Sequence, residues 1–140
     1  MQEMKFRAKR IDNGEWVSGS GLLICNDFCV IDRDTEMYVD MKYEWAGNTH
    51  FFRIAGAMCD LKTLGQYTGS KDKNGKEIYE GDIVKRSGLD RLGKVYFYQG
   101  AYRVDFGHCT YPLDIVLGEF DTSVINNIHD NPELIKKEEK

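Results

Sequence analysis

Residues 93–106 constrain the fold more than any other stretch. They read Gly-Lys-Val-Tyr-Phe-Tyr, then Gln-Gly, then Ala-Tyr-Arg-Val-Asp-Phe. With Gln99-Gly100 as a two-residue loop, Phe97 falls opposite Tyr102 and Val95 opposite Val104, and Phe106 continues the same face. A slip of one residue would turn that whole apolar set to the other side, so the pattern sets the register. The other face carries Lys94, Tyr96, Tyr98 and Arg103. A ribbon that is apolar on one face and aromatic on the other needs cover on both, from a second layer of its own chain or from a second subunit.

The rest of the chain reads the same way. In residues 5–11, Phe6 and Ala8 alternate with Lys5, Arg7 and Lys9, the period of a half-buried strand. Asp12-Asn13-Gly14 is a turn signal, and residues 15–20 return as a second strand. A two-residue loop there would set Asp12 against Glu15, so a looser loop fits equally well. Residues 21–32 are apolar in patches around a turn at Asn26-Asp27. Residues 37–43 and 50–54 read as strands joined by Gly47-Asn48, and residues 55–62 stay ambiguous. Residues 112–117 suit a strand or one short helix, and residues 123–128 a late strand. Asn131 followed by Pro132 reads as the N-cap and first position of a short C-terminal helix. The expected class is mainly β: twisted antiparallel sheets or a small, partly open barrel, with hairpins and that helix.

A chain of 140 residues has the size of one domain and can bury a core without staples. We read it as one domain, with an N-terminal β part over about residues 1–60 and an SH3-like β part, by analogy of strand order alone, over about 61–140. No apolar run approaches a bilayer span, so no membrane partner is expected. Residues 1–10 are charged and lack the apolar core of a signal peptide, which points to the cytoplasm. There Cys25, Cys29, Cys59 and Cys109 are expected as reduced thiols. The net charge of −4 argues against nucleic acid as a partner, because phosphate neutralisation needs clustered lysine and arginine. The basic stretches 5–10 and 71–76 read as solvated strand faces and turns.

Candidate chemistry is sparse. Glu80 and Asp82 could serve as a carboxylate pair, but neither a histidine nor a third carboxylate lies near in sequence. The plainer reading has Asp82 bonding backbone amides at Gly81. Asp72-x-Asn74 opens like a calcium loop, yet its glycine comes two positions early and Lys71, Lys73 and Lys76 crowd it. Cys25 and Cys29 form one close pair where structural zinc uses two. Residues four apart in a strand lie about 13 Å apart, so Asn26-Asp27 would have to turn the chain to bring that pair together. Neither a nucleophile motif nor a phosphate loop is present, and no cofactor is expected. Tyr96, Tyr98, Trp16 and Trp45 could supply a stacking surface, with Arg103 and Lys94 beside the two tyrosines. Burial of that face against another layer or subunit is the plainer reading.

The segment from Leu64 through Gly65-Gln66-Tyr67-Thr68-Gly69, Asn74-Gly75-Lys76 and Ile78-Tyr79-Glu80-Gly81-Asp82-Ile83-Val84 resembles the signature of the YopX family. Met4-Lys5-Phe6-Arg7-Ala8 is similar to that family's opening, and residues 124–134 to its closing motif. Asn126 stands where the family has glycine, and His129 where it has tyrosine. The resemblance implies a mostly β protein of a phage or prophage, acting in the host cell, without an established activity. Together these readings point to a non-enzymatic accessory protein that binds a host or phage protein or a second copy of itself. Two alternatives stand beside it. One is a nucleic-acid-binding small barrel using Tyr96, Tyr98, Arg103 and Lys94; the other is a small-ligand or weak hydrolase site at Glu80 and Asp82.

Overall fold

The computed structural model describes residues 4–32 and 38–136. Met37, expected to open a strand, lies outside them. The chain divides into two compact units, Met4–Gln66 and the residues from Tyr67 on. Every strand pairing in both is antiparallel among the described residues, and the class is mainly β, as expected.

In the first unit, β1 (Phe6–Lys9) pairs with β2 (Trp16–Gly19), with Lys9 opposite Trp16. The looser loop is the one formed. The Gly14 N–H donates to the Arg10 carbonyl and the Arg10 N–H to the Glu15 carbonyl, each at 2.9 Å. Asp12 turns back to the Arg10 guanidinium instead of facing Glu15. β3 (Gly21–Ile24) and β4 (Phe28–Asp32) pair through a tight turn at Asn26-Asp27, closed by Cys25 N–H on the Phe28 carbonyl at 2.8 Å.

Next comes a two-stranded ribbon, β5 (Tyr38–Trp45) and β6 (Asn48–Ala55). Its turn is Ala46-Gly47, at φ 54° and 81°, one residue before the expected Gly47-Asn48. Two left-handed positions in a row make the twist of such a turn match that of the strands it joins, so Asn48 is free to pair with Trp45. The ambiguous residues 55–62 resolve into β7 (Ala57–Asp60), which pairs with β4, and a 3-10 turn over Leu61–Thr63. The Asp60 carboxylate caps that turn, accepting the Lys62 N–H at 3.0 Å. Ala8, Val17, Cys29, Ile31, Ala57 and Cys59 make the core, and the first two residues of β8 (Gly65–Lys71) pair with β1.

In the second unit, the later part of β8 pairs with β9 (Glu77–Tyr79). β10 (Asp82–Arg86), β11 (Gly93–Tyr98), β12 (Ala101–Asp105), β13 (Thr110–Pro112) and β14 (Thr122–Asn127) form a sheet in the order β13-β12-β11-β10-β14. The β11–β12 hairpin has the expected register. Val95 faces Val104, Phe97 faces Tyr102 with ring centroids 5.0 Å apart, and Gln99 and Gly100 turn at positive φ.

Pro112 ends β13, and α1 (Leu113–Glu119) follows, so of the two readings of 112–117 the helix holds. Leu113 and Val116, three apart, share one helix face and are buried. They join Ile78, Val84, Val95, Val104 and Phe106 in the core. Burial of each such aliphatic or aromatic side chain contributes about 1.5–3 kcal/mol. A short α2 (Glu133–Lys136) closes the described chain, starting one residue later than Pro132. Its entry is held by the Leu134 N–H on the Asn131 carbonyl at 3.2 Å. Among the described residues no helix is long and apolar enough to cross a membrane.

Candidate functional site

The carboxylates singled out in the sequence have structural tasks. Asp82 is buried, and its Oδ2 accepts the Tyr79 N–H at 2.8 Å, bracing the Gly81 turn as the plainer reading expected. Gly81, at φ 89°, donates its N–H to the Val95 carbonyl and accepts the Ile128 N–H. Glu80 makes itself felt elsewhere. Burial first, and then the Glu80 charge, raises the Tyr102 phenol above its ordinary pKa. The two acids thus act on different neighbours.

Asp72 accepts three backbone N–H groups. Its Oδ1 accepts the N–H groups of Asn74 at 2.8 Å and Lys76 at 2.9 Å, and its Oδ2 that of Val124 at 2.9 Å. Burial works against its ionisation. The amides of Val124, Lys76 and Asn74 outweigh that and hold the carboxyl below the usual range. The apparent start of a calcium loop is a carboxylate filled by backbone donors.

The cysteines separate by environment. Cys29 and Cys59 face each other across β4 and β7, both fully buried. Burial, and after it the Asp60 charge, pushes the Cys29 thiol up. Cys25 is half-buried and Cys109 exposed. Among the described residues, no three of His, Cys, Asp and Glu are grouped to hold a metal ion.

Lys94, Tyr96, Tyr98 and Arg103 do share one face of the β11–β12 hairpin. Lys94 sits opposite Asp105 and Tyr96 opposite Arg103. Arg103 Nε donates to the Tyr98 carbonyl at 3.2 Å, which ties the guanidinium to the hairpin itself. Tyr98 is 57% exposed, while Tyr96, Arg103 and Lys94 are half-buried. Two cations approach Trp16, the Arg7 guanidinium at 4.7 Å and the Lys9 ammonium at 5.7 Å from its ring centroid.

The more exposed aromatic surface lies on the β5–β6 ribbon. Cross-strand pairs assign its faces: Val39–Ile54, Met41–Phe52, Tyr43–His50 and Trp45–Asn48 on one, Tyr38–Ala55, Asp40–Arg53, Lys42–Phe51 and Glu44–Thr49 on the other. The first face has no carboxylate, lysine or arginine. Val39 at its foot is buried, but Phe52, Tyr43 and Trp45 are exposed by 41%, 51% and 71% toward the tip. The Tyr43 ring stacks on His50 at 5.0 Å and meets Phe52 edge-on at 5.8 Å, so the rings of neighbouring rows form one continuous surface.

The second face is polar. The Asp40 carboxylate accepts from Arg53 Nε at 2.7 Å, and the Thr49 hydroxyl donates to Glu44 at 2.8 Å. The Arg53 bond holds the Asp40 carboxyl below its usual range. Phe51, 78% exposed, and Tyr38, 58% exposed, are the exceptions on this side. A cleft of about 340 Å³ lies at the foot of the ribbon between Tyr38, Asp40, Gly56 and Met58, with Arg10 and Asp12 on its rim. Both of its rim charges are already joined to each other.

Sequence reasoning placed strands at 37–43 and 50–54 but did not single out this face. Half of the signal was present: apolar Val39, Met41, Tyr43 and Trp45 alternate with Asp40, Lys42 and Glu44, whereas the return strand, with Phe51 and Phe52 adjacent, does not alternate. Alternation alone does not say whether a sheet neighbour or a second layer will cover the apolar side.

Two curled antiparallel units, the second with two short helices, define a small, mainly β protein. The chain belongs to the YopX family, whose model matches residues 5–136. It is similar in fold to protein EF1440 from Enterococcus faecalis, a crystal structure with a TM-score of 0.60 and 24% sequence identity over 96% of this chain and 99% of that one. No curated protein matches it in sequence.

Proposed function

We propose that this protein is a non-enzymatic accessory factor of a phage or prophage that works by binding protein, and that the β5–β6 ribbon is its recognition element. One observation carries the reading: an uncharged aromatic face, stacked and exposed, on a ribbon that pairs with no third strand among the described residues. Two-stranded ribbons are marginal alone in water, and contiguous exposed apolar surface commonly marks an interaction site. The reading is supported further by the signature acids, since Asp72 and Asp82 are engaged with backbone amides.

The test is site-specific photo-crosslinking in cells that express the protein at native level. A photoreactive side chain at Trp45 should give a discrete protein adduct, and the same group at Glu44, on the polar face, should not. Absence of an adduct from Trp45 and its neighbour Tyr43 would overturn the assignment.

A further inference from the structure

We infer that the occupant of the β5–β6 face is a second copy of this chain, bound face to face about a two-fold axis; this rests on the ribbon being the recognition element. A two-fold contact brings one patch against itself, so the patch must be self-complementary. Charge decides between the two faces. On the polar side, an axis through the middle of the ribbon would set Lys42 near its own copy. The apolar side carries no such charge, so it can meet itself without repulsion. It also lacks the fixed charges that would select a different partner.

Size agrees. The exposed rows run from Met41–Phe52 through Tyr43–His50 to Trp45–Asn48. Rows on one strand face recur about every 6.7 Å. With the axis at the Tyr43–His50 row, Trp45 of each copy lies over Met41 and Phe52 of the other. The flat tip ring thereby covers the aliphatic and aromatic row that its own chain leaves open.

Tyr43, Trp45 and Phe52 expose roughly 330 Å² per copy, taking about 200 Å² for a whole aromatic side chain. With Met41, His50 and Asn48 fully covered as well in both copies, the contact buries at most about 1,000 Å² in total, the threshold for a specific interface.

The experiment is sedimentation equilibrium of the full chain from about 1 to 100 μM, beside the variants Tyr43→Lys, Trp45→Glu and Phe51→Lys, each checked for an unchanged circular dichroism spectrum. The expected result is a species of twice the 16.1 kDa chain mass at high concentration. Tyr43→Lys and Trp45→Glu should weaken it by about 30-fold or more, and Phe51→Lys, on the other face, should not. Trp45→Glu serves if Tyr43→Lys disturbs the fold, because Trp45 sits at the exposed tip. A Trp16→Phe chain, whose emission comes from Trp45 alone, should shift to the red on dilution through the same range.

A dimer that both face variants leave intact overturns the inference. So does a monomer at all concentrations. If the monomer still gives a Trp45 crosslink to a different protein in cells, the recognition role of the ribbon survives and only the identity of the occupant is lost. If it gives none, both readings fall.

Discussion

The Asp72 carboxylate accepts the backbone N–H of Val124 at 2.9 Å, across fifty-two residues of chain. This bond ties the turn-rich signature segment to the start of the closing motif. The same two stretches meet again where Ile128 donates to the Gly81 carbonyl at 2.8 Å and where Asp82 pairs with Asn127. The segments that carry the family resemblance are therefore one connected hydrogen-bond system. The two departures from the family pattern fall inside it. Asn126 pairs with Ile83 beside a register shift, and the ring of His129 lies 3.4 Å from where a Cβ on Gly81 would stand.

Replacing Asp72 with Asn should cost about 1–3 kcal/mol, because an amide group cannot accept on both sides and leaves one buried N–H unsatisfied. The pH dependence has a definite sign. A carboxyl whose folded pKa lies below its unfolded value of about 3.9 stabilises fully above that value. The contribution is lost as pH falls further, through the folded pKa. Urea melts at pH 7 should separate the wild type from Asp72→Asn, and the gap should close as pH drops below about 4. A constant gap down to pH 2 would contradict the assignment.

Gly75 and Gly93 are required for different reasons, and alanine distinguishes them. Gly75 sits at φ 82° with open space where a Cβ would go, so Gly75→Ala costs only backbone strain of about 1–2 kcal/mol. A Cβ on Gly93 would lie 2.4 Å from Val104 Cγ1 and 2.7 Å from Phe106 Cε1, both in the core. Gly93→Ala should lower the thermal midpoint more than Gly75→Ala, through overpacking. Gly75→Val should also reduce soluble yield. The reverse order of midpoints would mean that the β11–β12 sheet gives way more easily than its packing implies.

Thiol labelling should proceed in order of exposure. Cys109 should react with iodoacetamide first and Cys25 more slowly. Cys29 and Cys59 should react only when the chain unfolds, since both are fully buried and burial also disfavours the Cys29 thiolate. Mass mapping of labelled peptides against time reads this directly. Early labelling of Cys29 would show that the β4–β7 pairing opens.

The paired acids offer a control on the non-enzymatic reading. Asp82→Ala should destabilise by about 1–3 kcal/mol, because it leaves the buried Tyr79 N–H without its acceptor. Glu80→Gln should leave the thermal midpoint within a few degrees. Loss of a measurable activity in Glu80→Gln, with stability unchanged, would return Glu80 to a chemical role.

Much of the fold was legible because local patterns determine local pairings. The Gln99-Gly100 loop, with matching apolar residues on both arms, has one register that buries them together, and the chain adopts it. The family signature was equally legible, since its turns rest on glycines whose left-handed backbone few other residues tolerate. What alternation could not state is which neighbour each strand face receives. Phe97 and Tyr98 on one hairpin, and Tyr43, Trp45 and Phe52 on the other, follow the same period-two rule. Yet Val95 and Val104 are covered by the side chains of α1 and β10, whereas the outer rows of β5–β6 are left open. Nor could sequence show that Asp72 would be filled by an amide fifty-two residues away. Both depend on contacts between segments distant along the chain, and only the tertiary structure decides which segments those are.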